Sequence, residues 1–387
     1  MAGQIFTPVE MIKRLVAFDT TSRESNLALI DFVADYLAGH GVRSEIIHAE
    51  SGDKANLYAT IGPAGSRGVA LSGHTDVVPV DGQDWHSDPF SVVEADGRLY
   101  GRGTADMKSF IAVVLALVPE FLSSDLETPL HLAFSYDEEV GCLGVHGIIE
   151  HFERHGIPPR LAIVGEPTGM RVVDAHKGIR AFTTTVTGLE AHSSATHIGV
   201  NAVMYAAELI AYLGALAEEM KERGDGDRFA PPYTTVHVGV IEGGTALNII
   251  PRSCRFTWEY RLLPGGDENE VLDRFESFAK DQVLPRMRAL SEAADIVTVQ
   301  LARVPALNPE PGSEAEALVF KLLESNQTFA VSYGTEAGIF QAAEVPTVVC
   351  GPGDIVQAHK PDEFIELEQV ERCVAFLRRL VVHLRAA

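Results

Sequence analysis

Apolar and polar positions follow two rhythms along this chain, and the change from one to the other predicts its elements. Thr7-Pro8-Val9-Glu10 brings a cap residue, a first-turn proline and an acid into the order of a helix start. Leu29, Ile30, Phe32, Val33, Tyr36 and Leu37 recur at helical spacing and predict a helix over Asn26–Gly39, closed by its glycine. Short apolar runs predict strands over Ser44–His48, Leu57–Ile61 and Val69–Ser72. A solidly apolar run from Phe110 predicts a buried helix over Asp106–Leu122. Strand Leu130–Ser135, helix Val145–His155 and strand Leu161–Val164 follow. Strands alternating with helices predict an α/β unit with a parallel or mixed sheet and helices on both faces.

From Ile179 the pattern changes. Strand Ala181–Gly188, helix Asn201–Arg223, strands Thr235–Ile241 and Cys254–Leu262, helix Asp267–Leu290 and strand Ile296–Ala302 read β-α-β-β-α-β, the split ferredoxin-like unit. After Asn308-Pro309-Glu310-Pro311-Gly312 the first pattern resumes. It ends in a helix over Glu366–Arg385 with Val370, Val374, Leu377, Val381 and Leu384 on one stripe. The predicted division is therefore residues 1–178 with 307–387 as one domain and 179–306 as an inserted α+β domain.

Composition narrows the partners. The 54 acidic against 31 basic residues give a formal charge of −23, which repels nucleic acid and anionic lipid. The longest apolar run, Phe110–Pro119, is too short to span a bilayer. The start MAGQIFTPVEMIKRL has no apolar leader segment. Cys142, Cys254, Cys350 and Cys373 lie far apart with no C-x-x-C, as reduced thiols of a cytoplasmic protein would.

Candidate chemistry gathers at predicted strand ends, where open α/β sheets bind ligands. His74 and Asp76 follow one strand, Asp137-Glu138-Glu139 the next, and Glu166 a third, while Asp106 opens a helix and His359 stands in a late loop. Singly these residues have plain readings: Asp106 as a helix cap, Asp76 as an Asx-turn, Glu166 before a proline as a turn residue. Jointly they form a histidine–carboxylate set without cysteine, which suits Zn²⁺, Co²⁺ or Mn²⁺. Five ligands exceed what one catalytic zinc uses and match two metals about 3.5–4 Å apart. Of the pair Glu138-Glu139, one acid would then be spare for general-base work.

The stretches SGHTDVVP, LYGRGTADMK, DEEVGCLG, GEPT, AHKG, SYGTEAG and VVCGPGDIVQAHKPDEF, in this order, resemble the aminoacylase–acetylornithine deacetylase–desuccinylase group of two-zinc amidohydrolases. The resemblance covers nearly the whole chain. It implies a zinc-peptidase-like catalytic domain with an inserted lid that forms a homodimer. It implies that His74, Asp106 and Glu166 hold one metal and Asp106, Glu139 and His359 the other. Glu138 would be the general base, Asp76 would orient His74, and His192 would help bind the oxyanion. Asn248 and Arg261 would meet the substrate carboxylate, with Thr335 and Glu336 as further substrate contacts. The implied reaction is hydrolysis of an N-acyl amino acid, first N2-acetyl-L-ornithine. Desuccinylase, aminoacylase, glutamate-releasing carboxypeptidase and dipeptidase activities are the rivals within the group, and a metal-dead binding protein is a remote one. Where the group often has glycine before the lid histidine, this chain has Ala191.

Overall fold

The first pattern builds an eight-stranded sheet in the computed structural model, which describes residues 4–63, 65–224 and 226–385. Its strand order is Ser44–His48, Ala55–Ile61, Leu130–Ser135, Val69–His74, Leu161–Pro167, Thr347–Gly351, Val172–His176 and Thr328–Val331. The four strands from Leu130–Ser135 to Thr347–Gly351 run parallel, and Ala55–Ile61 joins them antiparallel. Every residue of those four parallel strands is buried, as expected for a sheet covered on both faces. Parallel pairing brings their carboxyl ends to one edge. His74 pairs with Ser135 there, and Gly351 pairs with Pro167 beside Glu166.

The described chain divides into two compact units. Residues 1–175, 307–330 and 335–387 form the first, and residues 176–306 with 331–334 the second. The short segment 331–334 thus groups with the second unit, away from its sequence neighbours. Each unit has its own core. Phe110, Val113, Leu132 and Ile163 belong to the first, and Phe182, Phe256, Trp258 and Phe275 to the second.

The second unit is a four-stranded antiparallel sheet, ordered Thr235–Gly243, Ser253–Leu262, Gly178–Thr187, Asp295–Val304. Burial alternates residue by residue along Gly178–Thr187, so one face carries the core. Helices Ala202–Glu222 and Glu270–Phe278 supply Leu209, Leu213, Val271 and Phe275 to it.

Two predicted helices are interrupted, each near a proline. The run expected over Asp106–Leu122 forms Lys108–Ala116 and then Val118–Leu122, because Pro119 has no N–H to continue the first helix. The run expected over Asp267–Leu290 forms Glu270–Phe278, a widened turn Ala279–Val283 and Leu284–Arg288, with Pro285 unable to donate back to Asp281. No helix among the described residues is long and apolar enough to cross a membrane.

Candidate metal centre

Helix Lys108–Ala116 is buried along its whole length and lies directly on the sheet. Gly165 makes this approach possible: a Cβ there would fall 2.1 Å from the Phe110 ring. Gly73 plays the same part against Met107 and Ile111. Two glycines immediately before His74 and Glu166 therefore let the helix start sit over the strand ends that carry them. Asp106 precedes the helix and does not cap it, since the cap position is Met107. The peptide bond between Asp106 and Met107 is cis.

Around one point the structure gathers His74, Asp106, Glu138, Glu139, Glu166 and His359. Nε2 of His74 lies 3.1 Å from Asp106 Oδ1 and 3.7 Å from Glu166 Oε1. Nε2 of His359 lies 3.4 Å from Asp106 Oδ2 and 3.0 Å from Glu139 Oε2. The two oxygens of Asp106 thus face two different imidazoles. Donor atoms of His74, Asp106 and Glu139 lie within 4.8 Å of one another, and so do those of His74, Glu138 and Glu166. His359 stands in the left-handed region at φ 62°, a conformation found more often at functional sites than elsewhere.

Asp76 sits behind the cluster. Its backbone oxygen is 3.0 Å from Nδ1 of His74 and its Oδ1 is 3.5 Å from the same nitrogen. The carboxylate accepts from the N–H of Glu138 at 3.1 Å, the N–H of Glu139 at 3.3 Å and the Ser22 hydroxyl at 2.7 Å. The backbone carbonyl of Asp76 therefore orients a histidine, while its side chain ties down the loop that bears both acids.

Burial raises the carboxyl pKa of Glu138, Glu139 and Glu166, and neighbouring carboxylates raise them further. Burial also opposes charging of His74, yet Asp106 and Asp76 hold its pKa well above the ordinary value. Hydrogen bonds from its ring to Asp106 and Glu139 carry His359 up to about 10. Carboxylates outnumber imidazoles in a site that is buried at His74, Asp106 and Glu166 and open at His359, a balance that favours bound cations. Cys142 donates its thiol to Glu138 Oε1 at 3.3 Å, and burial pushes its pKa well up, so it is a neutral donor. The available donors are imidazoles and carboxylates, which fit zinc, cobalt or manganese.

The other expected residues are distributed differently. His192, Asn248 and Arg261 belong to the second unit. His192 lies in the short strand Ala191–His192 paired with Ile249–Ile250, and the Ser193 N–H donates to the Asn248 carbonyl at 3.0 Å. Arg261 donates from Nε to Glu259 at 3.0 Å. Thr335 and Glu336 are in the first unit and fully buried. Thr335 accepts from the Ala337 N–H at 3.1 Å, and Glu336 accepts from Ser72 at 3.1 Å and from Ser135. The expectation set both against the substrate. The Thr335 bond is local, and Glu336 lies between the neighbouring strands that carry Ser72 and Ser135.

Sequence reasoning missed Glu363. Its Oε1 accepts from the N–H groups of Gly103 at 3.0 Å, Ala105 at 2.8 Å and Asp106 at 3.1 Å, and its Oε2 pairs with Arg102. Both side chains are 1% exposed. The signal was an acid four residues after His359, within the HKPDEF stretch, with nothing in spacing to say that it reaches back to Asp106.

Comparison with known proteins adds the family context. The model of the family described as peptidase family M20/M25/M40 matches residues 70–383. An acetylornithine deacetylase of Pasteurella multocida (strain Pm70) is 36% identical over 385 residues, covering 96% of this chain and 97% of the relative. The crystal structure of an M20 family metallo-carboxypeptidase from Sulfolobus solfataricus aligns with a TM-score of 0.77 at 17% identity, covering 99% of this chain and 100% of that one. A Bacillus subtilis structure described as a dinuclear metal-binding peptidase of the M20 family aligns with a TM-score of 0.63 at 15% identity, covering 97% of each chain. At these identities the two structures are like this chain in fold alone.

Proposed function

We propose, on the premise that this chain belongs to the peptidase family M20/M25/M40, that it hydrolyses the amide of N2-acetyl-L-ornithine to L-ornithine and acetate with two divalent metal ions. The observation that carries this reading is Asp106, which offers one oxygen to the side of His74 and the other to the side of His359. A carboxylate so placed fits a bridge between two ions, with His74 and Glu166 completing one set and Glu139 and His359 the other. Zinc is the ion we favour, from the donor types. When bound, the ion pair supplies Lewis acidity and lowers the pKa of a water.

The chain's own residues would do the rest. Glu138 takes the proton of the attacking water and returns it to the leaving amine. Its raised pKa supports that exchange, since a general base works best near the operating pH. Asp76 holds His74 in one orientation through its backbone carbonyl, with its carboxylate just behind, as an acceptor behind a metal-bound histidine does. His192 is the donor to the developing oxyanion. Its Nδ1 accepts from the Ser194 N–H at 3.2 Å, so in the neutral ring the proton is on Nε2, which can donate. Arg261 and Asn248 would receive the substrate's α-carboxylate, Arg261 through its Nη edge because Nε is committed to Glu259. A homodimer through the second unit is supported by exposed Val240, Ile241, Val297, Val299 and Leu301 on its two outer strands. Four free cysteines support a cytoplasmic setting.

The test is Glu138→Gln with a substrate panel. The variant should keep both metals and lose about 10²–10⁴-fold in kcat, the usual worth of a general base. Metal leaving with the substitution would make Glu138 a ligand and reverse the assignment. For wild type, kcat/KM should be highest for N2-acetylornithine among N-succinyl-diaminopimelate, N-acetylmethionine and a dipeptide. A higher value for any of these moves the reading to that rival.

A further inference from the structure

We infer that Glu45, His151 and His155 form a second site, separate from the centre above, for one divalent ion of the zinc, nickel or copper type. His151 and His155 stand four residues apart on helix Val145–His155 and so share one face. Their ring centroids are 4.2 Å apart. Glu45 comes from the edge strand Ser44–His48. One donor atom from each of the three lies within 4.8 Å of the others. Nδ1 of His151 is 3.7 Å from Glu45 Oε2, too far for a hydrogen bond. Two donors on one tetrahedral ion, each at about 2.0–2.2 Å, are separated by roughly 3.4 Å. The observed gap is therefore close to that of a shared ligand pair.

The placement is built from below. Glu45 pairs directly with Tyr58 across the two strands, which puts both side chains on one face of the sheet. The Tyr58 ring lies 4.8 Å from the ring of His151 and 5.4 Å from Phe152, and its hydroxyl is 2.7 Å from Nδ1 of His131. His151 is buried in that packing, so its ring direction is fixed before any ion arrives. His155 is 2.8 Å from the carbonyl of His151 through Nδ1. A carbonyl only accepts, so this nitrogen carries the proton and the lone pair is on Nε2. Nδ1–H to a backbone carbonyl is the arrangement that readies a histidine for metal through its other nitrogen. Two imidazoles and a carboxylate suit zinc, nickel or copper over calcium or magnesium. A histidine in the last turn is also favoured by the helix dipole alone. That accounts for His155, while Glu45 is brought opposite Tyr58 by strand pairing and stands within ion-pair distance of His151, on the side where a shared ion would sit. A bound ion would tie the last turn of this helix to the edge strand.

Metal counting on the full-length protein tests this. Wild type, His155→Ala and Glu45→Gln are equilibrated with Zn²⁺ in several-fold excess, dialysed against Zn²⁺ held free in solution, and assayed for metal per chain. Both replaced residues are exposed, so the core is left intact. Each variant should hold one equivalent less than wild type, whatever the wild-type total. Turnover of N2-acetylornithine should stay within twofold. Added Zn²⁺ should raise the melting temperature of wild type by more than that of either variant. The difference in count, rather than the total, is decisive, so the result is separable from the two-metal reading of the catalytic centre. Equal metal content in wild type and both variants overturns the site. So does a turnover loss that follows the lost equivalent, which would place that ion in the catalytic centre.

Discussion

Asp106 keeps its two oxygens aimed at two imidazoles because of Glu363, not because of the helix it precedes. Three N–H bonds onto one oxygen of Glu363 fix the turn at residues 103–106, and Arg102 neutralises the other oxygen. Both members of the pair are buried, so removing one leaves an unpaired charge, which typically costs about 3–5 kcal/mol. Glu363→Ala should therefore lower stability by that order in urea unfolding. It should also weaken metal binding about 10–100-fold, as loss of a supporting group around ligands does. Glu363→Ala with Arg102→Met should recover part of the stability and none of the metal affinity, because the charge is relieved while the turn stays loose. Metal affinity unchanged in Glu363→Ala would mean that Asp106 is held by the ions themselves. This layer was illegible in the sequence. Spacing revealed the groups that converge, but the bonds between residues 102–106 and Glu363 join positions more than 250 apart, and no local pattern encodes them.

At the scale of the element, the strand ends were legible and the helix starts less so. Short apolar runs over Val69–Ser72, Leu130–Ser135 and Leu161–Val164 announced three strands, which the structure extends to His74 and Pro167 at the first and third, and their parallel pairing follows from the βα alternation. Hence His74, the Glu138–Glu139 pair and Glu166 could be set on one edge from the sequence alone. The bonds of Glu336 to Ser72 and Ser135 were not legible, because an acid following Gly-Thr carries no local sign of which strands it reaches. What adjusts the elements to one another is glycine. Gly165 lets strand Leu161–Pro167 touch helix Lys108–Ala116, and a methyl there must displace Phe110. Gly165→Ala should cost about 1–3 kcal/mol, the usual range for overpacking, and should loosen metal binding because Glu166 is the next residue. Gly165→Ala with Phe110→Leu should regain stability by giving the methyl room. Thermal melting together with a metal titration checks both parts. A stable Gly165→Ala protein with wild-type metal affinity would show that the helix can slide without moving the strand end.

The described residues form two hydrophobic cores with no residue in common, one in each unit, and every residue of the carboxylate–imidazole centre belongs to the first unit. Ions that bind only the folded state stabilise it by mass action, by about 2.7 kcal/mol for each site at a hundredfold excess over Kd. Chelation should therefore act on one core and spare the other. The chain's two tryptophans offer a way to see this, since Trp85 lies in the first unit and Trp258 in the core of the second, 4.6 Å from the ring of Phe182. In a Trp85→Phe protein the tryptophan emission reports the second unit alone. Its thermal transition should stay in place when the metals are chelated, while far-ultraviolet circular dichroism, which sees both units, should show a transition moving to lower temperature. Restoring the metals should return that transition and leave the tryptophan signal unmoved. If the Trp258 signal shifts together with the dichroism by the same amount, the two cores unfold as one cooperative body, and the energetic separation inferred from their disjoint residues is wrong.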